Sequence, residues 1–148
     1  MLYYGIIAAV LGGIFIALQG GINGMMGTKV GVFTTVFVPV TTQFLILSTV
    51  VLFRRQFLGN IIKLKDIKFG FVFLIISALL GIGIMSFMTI SIMKTGPLVA
   101  FAVIVFSQLF TAMITEHFGF FGVVQNGISG YRVLGLMAML VGIGLFYK

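Results

Sequence analysis

Five long apolar runs, separated by short polar or glycine-bearing breaks, dominate this sequence and leave few folds open to it. A helix needs roughly 20 apolar residues to cross a hydrocarbon core of about 30 Å. The runs cover approximately residues 2–26, 32–53, 69–93, 97–115 and 129–147. They are too long and too evenly apolar for barrel strands, which alternate over about 10 residues. Lipid offers the backbone no hydrogen-bond partner, so each run is expected to be an α-helix. The expectation is an all-α integral membrane protein with one transmembrane domain over residues 1–148. Pro97 suits the first turn of its helix, where a missing N–H removes no bond.

Composition agrees. Of 148 residues, 61% are hydrophobic and 7% charged, against about 45–50% and about 25% in a soluble domain. A water-soluble domain this small does not bury so much apolar surface. Cysteine is absent, which excludes disulfide and thiolate chemistry. The net charge of +7 does not point to nucleic acid, because the basic residues sit between apolar runs rather than along one face. No basic segment precedes the first run and no cleavage box follows it, so it does not read as a signal peptide.

The charges instead predict orientation. With five crossings, the N-terminus and the second-to-third and fourth-to-fifth links share one side. That side carries Arg54, Arg55, Lys63, Lys65, Lys68 and Arg132, while the other carries Lys29, Lys94 and Lys148. The positive-inside rule puts the N-terminus in the cytoplasm and the C-terminus outside. The link from Arg54 to Lys68 also holds Phe57, Leu58, Ile61 and Ile62. It is read as a solvated loop, with contact to the membrane surface as the alternative.

Within the runs, small and polar residues are the informative ones. Ala9, Gly13, Ala17 and Gly21 recur every fourth residue, and Gly20, Gly24 and Gly27 form a second stripe; such spacing lets helices approach closely. Gln19 and Asn23 are four apart and project from one face. An unpaired amide in lipid is costly. Two readings follow, an interhelical hydrogen bond or a lining that meets a solute. Thr41, Thr42 and Gln43, Ser86 and Thr89, and Ser107, Gln108 and Thr111 add polar groups from three further runs. Pro39 is expected to kink the second run, with the Thr34 and Thr35 hydroxyls compensating the backbone. Glu116 and Arg132 fall on the same side and form either an interfacial ion pair or a gate.

Parts for catalysis are missing. One histidine, two carboxylates and no cysteine give no nucleophile–base pair, metal cluster or phosphate loop. No enzyme activity, cofactor or metal is expected.

The segment Gln19-Gly20-Gly21-Ile22-Asn23-Gly24-Met25-Met26-Gly27 resembles the first-helix QG-x-x-N-x-x-x-G motif of the YdcZ-like family. This is a set of small inner-membrane exporters in the drug/metabolite transporter superfamily. Ser107-Gln108 followed by Glu116-His117-Phe118-Gly119-Phe120-Phe121-Gly122 resembles that family's fourth-helix signature, GQ followed by D-H-F-G-L-F-G. Arg132-Val133-Leu134-Gly135 and Val141-Gly142 resemble its last helix. Ser107 stands where the family has glycine and Glu116 where it has aspartate. The likeness spans essentially the whole chain. It implies one five-helix repeat of a ten-helix transporter fold. It also implies an antiparallel dimer, either with a second copy or with a paired paralogue, that moves a small solute by alternating access. Its substrates are undefined.

Three other functions compete. A small multidrug resistance exporter has four helices and a glutamate in the first, and no such glutamate exists here. A fluoride-type dimeric channel finds only Gly12-Gly13 in support. A non-transporting membrane subunit fits the composition equally well.

Overall fold

The computed structural model describes residues 2–53 and 69–146. Its elements are α1 (Leu2–Val30), α2 (Val32–Phe53), α3 (Gly70–Thr95), α4 (Pro97–Phe118), a 3-10 turn (Phe120–Gly122) and α5 (Gly130–Phe146). No strand occurs among the described residues. The Arg54–Lys68 link, with five of the nine basic residues, and Lys148 lie outside the described residues.

Four helices, α1 to α4, are long and apolar enough to span a bilayer. The fifth has 17 described residues, the lower end of the spanning range of about 17–25. Each helix is apolar on all sides, as lipid-immersed helices are. Large side chains stand open to the surroundings along them, such as Phe15, Phe44, Leu79 and Leu145, each at least 64% exposed. A soluble monomer rarely leaves apolar patches of this extent uncovered. The chain is an integral membrane protein.

Two breaks share one design. α1 and α2 are separated by Gly31 alone, and α3 and α4 by Gly96 alone. Gly96 has φ 79 and ψ 161, a conformation essentially reserved for glycine. The Gly96 N–H donates to the Ile92 carbonyl at 3.0 Å, closing α3, and the Ala100 N–H donates to the Gly96 carbonyl at 3.1 Å, opening α4. Pro97 takes the first helical position, as expected. Gly31 repeats the pattern, accepting from Thr35 N–H and donating to the Gly27 carbonyl.

The first helix runs past the expected end at Met26, through Gly27 and Lys29 to Val30. Glycine weakens a helix in water, but in lipid the backbone has no other partner and the helix continues. α4 likewise extends beyond Thr115 to Phe118, so Glu116 and His117 sit in its last turn. α2 is unbroken through Pro39. The Thr35 hydroxyl donates to the Gly31 carbonyl at 2.9 Å, one turn before the carbonyl that Pro39 leaves without a donor. Thr42 donates to the Val38 carbonyl at 2.8 Å.

The described residues fall into two compact units, those within 18–90 on one hand and those within 2–17 and 91–146 on the other. Each is described separately below.

Candidate functional site

In the unit spanning Leu18–Ile90, burial concentrates on a few small and polar positions. On α1, Gly20, Asn23, Gly24 and Gly27 are buried; their i, i+3, i+4, i+7 spacing places them on one face. Three of the four carry no side chain, so the amide is the one polar side chain of this face. Asn23 is 3% exposed. Its Nδ2 is buried and has no hydrogen-bond partner. Gln19, one turn earlier, is half-buried.

Among the described residues, the other buried polar side chains of this unit are Thr35 on α2 and Thr89 on α3, at 5% and 0% exposed. Both hydroxyls are already used. Thr35 donates to Gly31 and Thr89 donates to the Met85 carbonyl at 2.8 Å. Such back-bonding to the preceding turn satisfies a hydroxyl in lipid without a second helix. Asn23 differs: its Nδ2 carries two donors and makes no such bond. Ser86 is half-buried and spends its hydroxyl on Ile82, whereas Thr42 and Gln43 are exposed.

The other unit holds a different feature. α4 and α5 pack against each other. Arg132 Nη1 donates to Glu116 Oε2 at 2.9 Å and ties the last turn of α4 to the first turn of α5. The loop between them is folded back onto the same spot. Gly119 closes α4 in the left-handed conformation, φ 65 and ψ 28. The Gly119 and Asn126 N–H groups both donate to the Glu116 carbonyl, at 3.3 and 3.0 Å. Gln125 Nε2 donates to the His117 carbonyl at 2.9 Å. The rings of His117, Phe118 and Phe120 form a chain of edge-on and stacked contacts. The Glu-His-Phe-Gly-Phe-Phe-Gly stretch is therefore a helix stop that brings Arg132 to Glu116. Glu116 and Arg132 thus meet as an ion pair.

Between these helices lies an open cavity of about 410 Å³. From α4 it is lined by Leu109, Ala112, Met113 and Glu116, and from α5 by Arg132, Gly135, Leu136 and Met139. A second cavity of about 400 Å³ continues along the same seam and shares Met139. Its walls, such as Phe101, Val105 and Ile143, are wholly apolar. Sequence reasoning missed this seam. Its signal was the i, i+3, i+4, i+7 recurrence of lining residues in each helix, hidden because every neighbouring position is apolar too.

Of the other expected site residues, Ser107, Gln108 and Thr111 are exposed, and the Ser107 hydroxyl is bonded to the Val103 carbonyl at 2.9 Å. Among the packing positions, Gly24 is buried, Gly21 half-buried, and Gly13 and Ala17 exposed. A methyl group added at Gly13 or Gly21 meets nothing within 4 Å. Among the described residues of α1, the small-residue stripe that is buried runs through Gly20, Gly24 and Gly27.

Long apolar helices, one of them carrying a buried amide, define a multi-pass membrane protein. The family model described as "Putative inner membrane exporter, YdcZ" matches residues 4–145. The chain belongs to this family of inner-membrane exporters. No curated protein and no solved structure matches it.

Proposed function

We propose that the chain exports a small solute bearing a hydrogen-bond acceptor, with Asn23 as its principal polar contact. One observation carries this reading: Asn23 Nδ2 is a buried donor without an acceptor. Natural membrane helices satisfy their buried polar groups, so an orphaned donor is best explained as one whose partner arrives from outside. A carbonyl, carboxylate or ether oxygen suits it. The glycines around it give such a solute access to the helix backbone.

The solute moves by alternating access, and the working unit is an antiparallel dimer. Five helices make half of the inverted-repeat transporters of the drug/metabolite type that the sequence resembles. The extent of uncovered apolar helix surface supports a partner in addition to lipid. The N-terminus lies in the cytoplasm and the C-terminus outside, from the distribution of basic residues. No catalytic role is proposed.

Because the chain has no cysteine, a single introduced thiol reports on its own site. Asn23→Cys is expected to react with a membrane-impermeant methanethiosulfonate reagent applied to membrane vesicles, and to lose export. A thiol there that stays unreactive from both sides means a dry packing position, and the proposal fails.

A further inference from the structure

We propose that the α4–α5 seam is a binding site for a phospholipid with a zwitterionic phosphate–ammonium headgroup. The headgroup meets the Glu116–Arg132 pair, and one acyl chain lies along the apolar groove beneath it.

Depth is the first argument. From Pro97 to Glu116 helix α4 rises about 28 Å, close to the hydrocarbon thickness of about 30 Å. Arg132 lies in the first turn of α5. The ion pair therefore sits at headgroup level, at one end of the seam. Shape is the second. The upper cavity bears its charges at the Glu116 end and is otherwise lined by carbon and sulfur; the lower one is apolar throughout. From Glu116 to Leu98 at its far end, α4 covers about 27 Å, enough for an extended chain. Met113 and Met139 are flexible walls that adapt to a disordered chain.

Charge is the third. One bond, Nη1 to Oε2, joins the pair, and the two side chains are 41% and 35% exposed. Glu116 Oε1 and the other guanidinium N–H groups of Arg132 have no other partner among the described residues. An arginine has five donors and a carboxylate several acceptor sites. Capacity remains for a phosphate on Arg132 and an ammonium on Glu116 at the same time. The pair is neutral overall, so it favours a zwitterion over an anion, whose charge Glu116 repels.

The test is native mass spectrometry of the full-length, delipidated protein in detergent, offered phosphatidylethanolamine, phosphatidylglycerol or diacylglycerol with matched chains. The expected result is retention of phosphatidylethanolamine about tenfold above the other two, the factor that one charge-assisted hydrogen bond supplies. Equal retention of all three overturns the proposal, since the headgroup is then not read. Soluble glycerophosphoethanolamine is expected not to compete at equal concentration; full competition would mean a site for a free solute rather than a lipid. Gly135→Leu fills the groove, and a Cβ there meets nothing within 4 Å, so it is expected to abolish retention with helicity unchanged. If that variant fails to fold, Ala112→Leu narrows the groove from α4. Retention that survives in a folded groove-filling variant also overturns the proposal.

Discussion

An amide enclosed among glycines is an unusual thing to keep in a membrane helix, and Asn23 carries a stability consequence that separates its two readings. An unmet buried donor costs about 1–3 kcal/mol. Asn23→Leu removes that group while keeping the branched heavy-atom skeleton, so it is expected to leave thermal stability in detergent unchanged or raised while export is lost. A packing amide would give the reverse, a lower melting temperature with export in proportion to folded protein. The Glu116–Arg132 pair predicts a smaller effect. Both side chains are more than a third exposed, and exposed pairs contribute only about 0–1 kcal/mol. A double-mutant cycle of Glu116→Gln and Arg132→Gln should return a coupling energy within that range. At this scale the sequence was half legible. Asn23 and the ion pair stood out because charged and amide groups are rare in lipid. Gln108 looked equivalent to Asn23 in the sequence, yet it is exposed. Residue type records polarity; burial depends on which side of a uniformly apolar helix faces its neighbours.

At the scale of elements, the spans were the most legible part, because their lengths follow from bilayer thickness. The ends were less so. α1 was expected to end near Met26, whereas it runs on to Val30, and Gly20, Gly24 and Gly27 lie with Asn23 on its buried face. The true break is Gly31, and only its backbone conformation distinguishes it from the others. The glycine stops differ in kind, and this predicts different tolerance. Gly119 is in the left-handed helical region, which asparagine also visits. A Cβ at Gly119 makes ordinary contact with Gln125 Cβ at 3.6 Å. Gly119→Asn is expected to cost under about 1 kcal/mol, because asparagine is the usual substitute for glycine at such a cap. Gly96→Asn must hold φ 79 and ψ 161, and is expected to cost about 1–3 kcal/mol. Melting temperatures of the two variants in the same detergent test the order; the reverse ranking would refute it.

For the molecule as a whole, the proposed antiparallel pair makes a crosslinking prediction. α1 rises about 42 Å from end to end, so its two ends mark opposite faces of the membrane. Tyr3→Cys on one copy should crosslink to Lys29→Cys on another through a short bis-maleimide. Lys29→Cys copies should not crosslink to each other. Crosslinks confined to like ends would establish a parallel arrangement. Reporters fused to the C-terminus then decide composition. Outside activity alone means a fixed orientation and a paralogous partner, while signal from both sides means dual insertion of one chain. The sequence announced a membrane protein and its family at once, since composition and a whole-chain motif pattern both survive without a structure. It was silent on the α4–α5 seam, because an apolar groove and an apolar packing surface use the same residues.

The two single-glycine breaks bear on how such a chain is made. A link of one residue leaves no slack for a first helix to settle in the membrane while its successor waits outside. α1 with α2, and α3 with α4, must therefore leave the insertion machinery as hairpins. The unit of biogenesis is the pair, and the decision about which way a protomer faces is taken once per hairpin rather than once per helix. A change that reverses one member must carry the other with it. Orientation in the membrane is thus set by the few charges flanking each hairpin, early in synthesis.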